Sequence, residues 1–94
     1  MKTEKQLHLY MKAECKRNEI LFYKLHAEGR RGFPDLMLAK AGAVHFVELK
    51  SPSKTGKLSR LQIETIAALK LEKVNVHVID SKEQADEIIK LLVA

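Results

Sequence analysis

Cysteine occurs once in this chain, at Cys15, so no internal disulfide can hold the fold and its stability has to come from buried side chains. No apolar run approaches the roughly 20 residues needed to span a bilayer. Residues 1–20 mix charge throughout and lack an apolar block followed by small residues, which argues against a secretory signal. The expected location is inside the cell. Tryptophan is absent, and the aromatic residues Phe22, Tyr23 and Phe46 sit inside apolar runs, so they are expected in the core rather than on a base-stacking platform. The four histidines, His8, His26, His45 and His77, have no zinc-like spacing and no second cysteine to join them. Each is expected to serve packing or solvation. Internal repeats and low-complexity tracts are also missing.

What the chain does have is length for one modest core and a surplus of positive charge. Its 94 residues are expected to form a single domain, residues 1–94. Seventeen Lys and Arg against twelve Asp and Glu leave a formal charge of +5, which favours a polyanionic partner such as nucleic acid.

Thr3-Glu4-Lys5-Gln6 has the form of a capping box, and Leu7, Tyr10, Met11 and Cys15 then share one helical face, which predicts a helix over about 4–17. Ile20 to Leu25 is a β-rich run of strand length. Two glycines and a proline between 27 and 34 predict a loop that delivers Asp35 to a second strand, Asp35 to Ala39. Lys40 to Ala43 reads as a turn into a third strand, Val44 to Leu49. Ser51 to Lys57 is a loop without an acid. Ser59-Arg60-Leu61-Gln62 caps a helix to about 71, with Leu58, Gln62, Ile66 and Leu69 near one stripe. Val74, Val76 and Val78 alternate with polar residues in a fourth strand, expected parallel to the third because the link is long enough for a right-handed crossover. Ser81 to Gln84 is a third capping box, before Ile88, Ile89, Leu91 and Leu92. The expected fold class is α/β: an α-β-β-β-α-β core with a mixed sheet flanked by helices, plus a C-terminal helix.

Strand alternation places Val44, Phe46, Glu48 and Lys50 on one face, and hairpin pairing brings Asp35 beside Glu48. Two carboxylates and an ammonium thus meet at one sheet edge. Phosphodiester hydrolysis needs an activated water, neutralised phosphoryl oxygens and a stabilised leaving alkoxide. Asp35 and Glu48 suit Mg²⁺ or Mn²⁺, which take hard oxygen ligands, and the Leu49 backbone carbonyl could supply a third oxygen. Lys50 could orient or deprotonate the water, or balance charge.

Pro34-Asp35 followed by Glu48-Leu49-Lys50 resembles the PD-(D/E)xK nuclease signature, and the element order is similar to that restriction-endonuclease-like core. Gly32-Phe33-Pro34-Asp35-Leu36, Phe46-Val47-Glu48-Leu49-Lys50, Leu58-Ser59-Arg60-Leu61-Gln62 and Val78-Ile79-Asp80-Ser81 resemble, more particularly, the VRR-NUC family of virus-encoded stand-alone nucleases and the Fanconi-associated nuclease. The likeness runs from about Glu4 to Leu92. It implies that Asp35 and Glu48 are metal carboxylates, Lys50 the catalytic lysine, Gln62 a helix residue facing the site, and Glu4 a first-helix acid that helps with metal or water. Glu14 lies about 80° from Glu4 around the helix and is the poorer candidate. Gln62 also has a plain structural role open to it, returning its side chain to the Ser59 N–H, and one residue could not easily serve both.

Arg30, Arg31, Lys54, Lys57 and Arg60 flank the expected site from two loops, which favours phosphate contact over mere solvation and recognition by backbone shape over base sequence. The leading expectation is a metal-dependent DNA endonuclease. Small members of the resembled family imply a homodimer that cuts branched DNA such as the four-way Holliday junction, in a phage or other viral setting and so in the host cytoplasm. A non-catalytic nucleic-acid-binding module on the same scaffold is the alternative. A small α/β interaction protein whose charges only solubilise it is a third.

Overall fold

The structure, a computed structural model, describes residues 1–25, 32–53 and 57–94. The elements run α1 (Glu4–Arg17), β1 (Leu21–Lys24), β2 (Leu36–Lys40), β3 (Ala43–Leu49), α2 (Arg60–Leu71), β4 (Asn75–Ile79) and α3 (Lys82–Val93). One sheet carries the strands in the order β1-β2-β3-β4. The first three are antiparallel neighbours, and β4 lies parallel to β3. This is the mixed α/β arrangement expected from the sequence.

Local chemistry explains where the elements start and turn. Thr3 Oγ accepts from the Gln6 N–H at 3.1 Å while Gln6 Oε1 accepts from the Thr3 N–H at 3.1 Å, so α1 opens on a reciprocal cap. Ser59 and Gln62 repeat the device at α2. At α3 only half of it forms: Ser81 accepts from the Gln84 N–H, but Gln84 Oε1 takes the Asp80 N–H at 2.7 Å, one residue upstream of the expected donor. Ala41 and Gly42 both have positive φ, 51° and 90°, which makes the β2–β3 link a two-residue type I′ turn whose twist matches its strands.

Register divides the sheet into two faces. Phe22, Leu36, Leu38, Val47, Leu49 and Ile79 share one face, and α1 and α3 cover it with Leu7, Met11, Cys15, Ala85, Ile88, Ile89 and Leu92. That is the main core. On the opposite face α2 packs against β4, burying Ile66 and Val76. Only half of that second face gains a helix. Tyr23, expected in the core, is therefore 54% exposed on β1, because α2 lands on the far side of the sheet. On α3 Ile88, Ile89 and Leu92 are buried while Leu91 is exposed. His45 and His77 do pack, as neighbouring stacked rings with Nδ1 and Nε2 at 2.8 Å.

Candidate active site

Asp35 owes its place to a tight approach of the chain to α2. A Cβ built on Gly32 would lie 2.5 Å from the Leu61 carbonyl oxygen and would also strike Thr65 Oγ1, so only glycine lets this segment lie against the helix. Phe33 then stacks edge-on against Phe46 at 5.4 Å, Pro34 is buried, and the Asp35 carbonyl accepts from the Leu25 N–H at 2.7 Å. These contacts hold Asp35 at the mouth of β2. Leu36 pairs with Val47, so Asp35 falls opposite Glu48 on the α2 face, as the hairpin pattern predicts.

Glu48 is a carboxylate inside the protein, 2% exposed. Its Oε2 accepts from Gln62 Nε2 at 2.9 Å and lies 3.7 Å from Lys50 Nζ. Its Oε1 is buried with no hydrogen-bond partner. Burial pushes its pKa up to about 7, with help from the neighbouring Asp35 carboxylate and, more weakly, the Glu4 charge, while Lys50 pulls the other way. An acid so placed is under strain from a neighbouring acid. A cation would relieve it, and the orphaned Oε1 is the acceptor such an ion requires. Asp35 Oδ2 receives only a long contact, 3.4 Å, from the Leu49 N–H, which leaves it capacity for further ligation. Two adjacent carboxylates with spare oxygens therefore fit a hard divalent ion.

Gln62 resolves differently from the either-or reading of the sequence. Its Oε1 accepts from the Ser59 N–H at 2.8 Å while its Nε2 donates to Glu48. The two ends of one amide do separate jobs: the oxygen caps α2 and the nitrogen fixes the carboxylate.

Glu4 stands on the other side of this edge, at the start of α1. A cavity of about 470 Å³ lies there, lined by Glu4, Lys5, His8, Leu9, Lys24, Asp35 and Leu49. Glu4 thus shares a cavity with Asp35, yet among the described residues no three His, Cys, Asp or Glu side chains gather closely enough to form a metal cluster by themselves. Of the expected DNA-binding residues, Lys57 is exposed, and Arg60 is exposed with its Nε 3.0 Å from Glu64 Oε1. Arg30, Arg31 and Lys54 lie outside the described residues.

Sequence reasoning passed over Lys5, His8 and Lys24. A signal existed for His8, which follows Glu4 by four positions and so shares its side of α1, but not for Lys5, which lies about 100° round the helix from Glu4. Nothing local marks Lys24, which arrives from β1. His8 is partly buried against Phe22, ring edge to ring face at 5.5 Å. Burial, then Lys24 and Lys12, lower its pKa, with Asp35 and Glu4 opposing.

Comparison with known proteins identifies the family to which this fold belongs. No curated protein matches the chain. A solved structure described as a VRR-NUC domain is similar at a TM-score of 0.82 and 29% sequence identity, over 96% of this chain and 97% of its own. The family profile described as the VRR-NUC domain matches residues 2–83, which takes in the Asp35 loop, the Glu48 strand and the helix of Gln62. The chain belongs to the VRR-NUC family of nuclease domains.

Proposed function

We propose that this nuclease domain is a divalent-metal-dependent DNA endonuclease that hydrolyses phosphodiester bonds by attack of water. The observation that carries the reading is the pairing of half-buried Asp35 with buried Glu48, whose pKa is raised to about 7 and one of whose oxygens is unpartnered. Buried acceptors are seldom left orphaned inside a protein, and a bound ion is one of the few partners that accounts for such an atom. Asp35 and Glu48 would hold Mg²⁺ or Mn²⁺, with the Leu49 carbonyl as a further oxygen and Glu4 assisting. When bound, that ion supplies positive charge against the phosphoryl oxygens and acidifies its water.

The protein's own groups do the rest. Lys50 stands on the Glu48 face with its ammonium 3.7 Å from the carboxylate, where it can orient the water or balance charge gathering on the phosphate. Gln62 holds the Glu48 carboxylate in one orientation through a bond that is itself anchored on the α2 cap. Lys57 and Arg60 lie at the start of α2, where their charge favours the approach of a phosphate backbone. Branched DNA is the proposed substrate and a homodimer the proposed active form, since two-fold symmetry presents two sites to two strands. Exposed Leu21, Tyr23 and Val44 on one sheet face support the dimer by leaving apolar surface to cover.

Incubation with linear, flapped and four-way DNA, with and without Mg²⁺ or Mn²⁺, tests the reading. Cleavage is expected only with metal and most readily on the branched forms. Lys50→Ala is expected to lose cleavage by about 100-fold or more while keeping most DNA binding. Binding without cleavage in the unaltered protein, under either metal, would replace the enzyme with a non-catalytic nucleic-acid-binding module.

A further inference from the structure

The cavity beside Asp35 holds a group of cations that the catalytic pair does not use. Lys5 from α1 and Lys24 from β1 line it together with His8, and among the described residues neither lysine forms an ion pair. Leu9 and Leu49 supply apolar wall, and Glu4 and Asp35 lie on the side of the carboxylate pair. We propose that Lys24, Lys5 and His8 form a seat for a second phosphate of the bound strand, next to the phosphate under attack.

This inference rests on the nuclease reading and adds to it the way the strand is held. Two ammonium groups repel a second metal ion and attract an anion, to which the imidazole can donate a hydrogen bond. The anion available at this place is the backbone of the substrate itself. Nucleic acid carries a phosphate about every 3.4 Å of axis on each strand, so a strand with one phosphate at Asp35 and Glu48 must bring its neighbours close by. On this side of Asp35 the chain offers Lys24 and Lys5 to meet them. His8 contributes a ring N–H in either tautomer, and its edge-on contact with Phe22 fixes the ring plane. Glu4 and Asp35 would oppose the anion in the metal-free protein. Once their charge is engaged at the catalytic edge, the cavity is left net positive, so seat and site fill together. Holding the strand at two successive phosphates fixes the scissile bond against the attacking water, a positioning role.

Binding of fluorescent branched DNA, in Mg²⁺ on the Lys50→Ala background so that nothing is cut, tests the seat across a salt series. Lys24→Ala and Lys5→Ala are each expected to weaken binding by about threefold to tenfold and to lower the salt slope by about one. Lys90→Ala, an exposed lysine of α3 outside the cavity, serves as control and should change binding by less than about twofold. Both cavity lysines are exposed, so thermal melts should be unchanged and a folding defect can be set aside. The His8 imidazole resonance should titrate at higher pH with DNA bound than without, since an adjoining phosphate opposes the burial and the charge of Lys24 and Lys12 that hold its pKa down. Cavity variants that behave like Lys90→Ala, or a His8 titration that DNA does not move, would overturn the seat while leaving the nuclease reading intact. Failure of the background protein to bind DNA at all would overturn both.

Discussion

Glu48 shows how burying one carboxyl ties the candidate site to the stability of the fold. Its carboxyl keeps a proton to about pH 7 in the fold, whereas in the unfolded chain it ionises near 4.5. Between those values the folded state binds more protons, so stability must fall as pH rises through that window and level off above it. The shift corresponds to about 3 kcal/mol as an order of magnitude. Melts of metal-free protein at pH 5 and pH 8 should show this loss, and Glu48→Gln should remove most of the slope while abolishing cleavage. A slope unchanged in the variant would mean that another group carries the pH dependence. Gln62 is the second informative residue, because one amide serves both helix and site. Gln62→Ala should cost about 1–2 kcal/mol in denaturant unfolding and also slow cleavage, whereas a residue that was only a cap would leave the rate alone once the protein is folded.

At the scale of the elements, the approach of the 32–35 segment to α2 decides where the acid pair forms. Gly32→Ala forces backbone apart from backbone, since the Leu61 carbonyl cannot swing away as a side-chain tip could. The expected result is a loss of about 1–3 kcal/mol in thermal or denaturant unfolding, together with weaker cleavage as Asp35 is displaced from Glu48. Most element starts were legible beforehand because they rest on contacts three or four residues apart. The Thr3–Gln6 and Ser59–Gln62 caps and the Ala41–Gly42 turn are of that kind. Leu36 opposite Val47 was legible too, since a tight turn sets the register of its hairpin. The fate of Gln84 was not. Ser81 and Asp80 are adjacent donors for one side chain, and the choice between them depends on how the chain enters α3.

For the whole molecule, the net charge of +5 favours a polyanionic partner, and the uncovered half of the second sheet face leaves Leu21, Tyr23 and Val44 exposed. Sedimentation or light scattering at micromolar concentration should report a dimer, and Tyr23→Glu should convert it to a monomer with little effect on the melt of the monomeric unit. A monomer in the unaltered protein would remove the two-site reading of junction cleavage. Tyr23 also marks a limit of pattern reading. Its flanking residues are those of a buried strand, and its exposure follows from α2 settling over β4.

Cap spacing, strand alternation and the Pro34-Asp35 and Glu48-Leu49-Lys50 pieces were enough to set the element order, the family likeness and the meeting of two acids. Such features depend on neighbours along the chain, or on a hairpin short enough to act like one. Tertiary packing alone chose the face on which α2 rests, turned both ends of the Gln62 amide to use, buried Glu48 Oε1 without a partner, and opened the lysine-lined cavity between α1 and β1. Those outcomes depend on volumes and charges contributed by segments far apart in sequence, whose mutual distances no local pattern encodes.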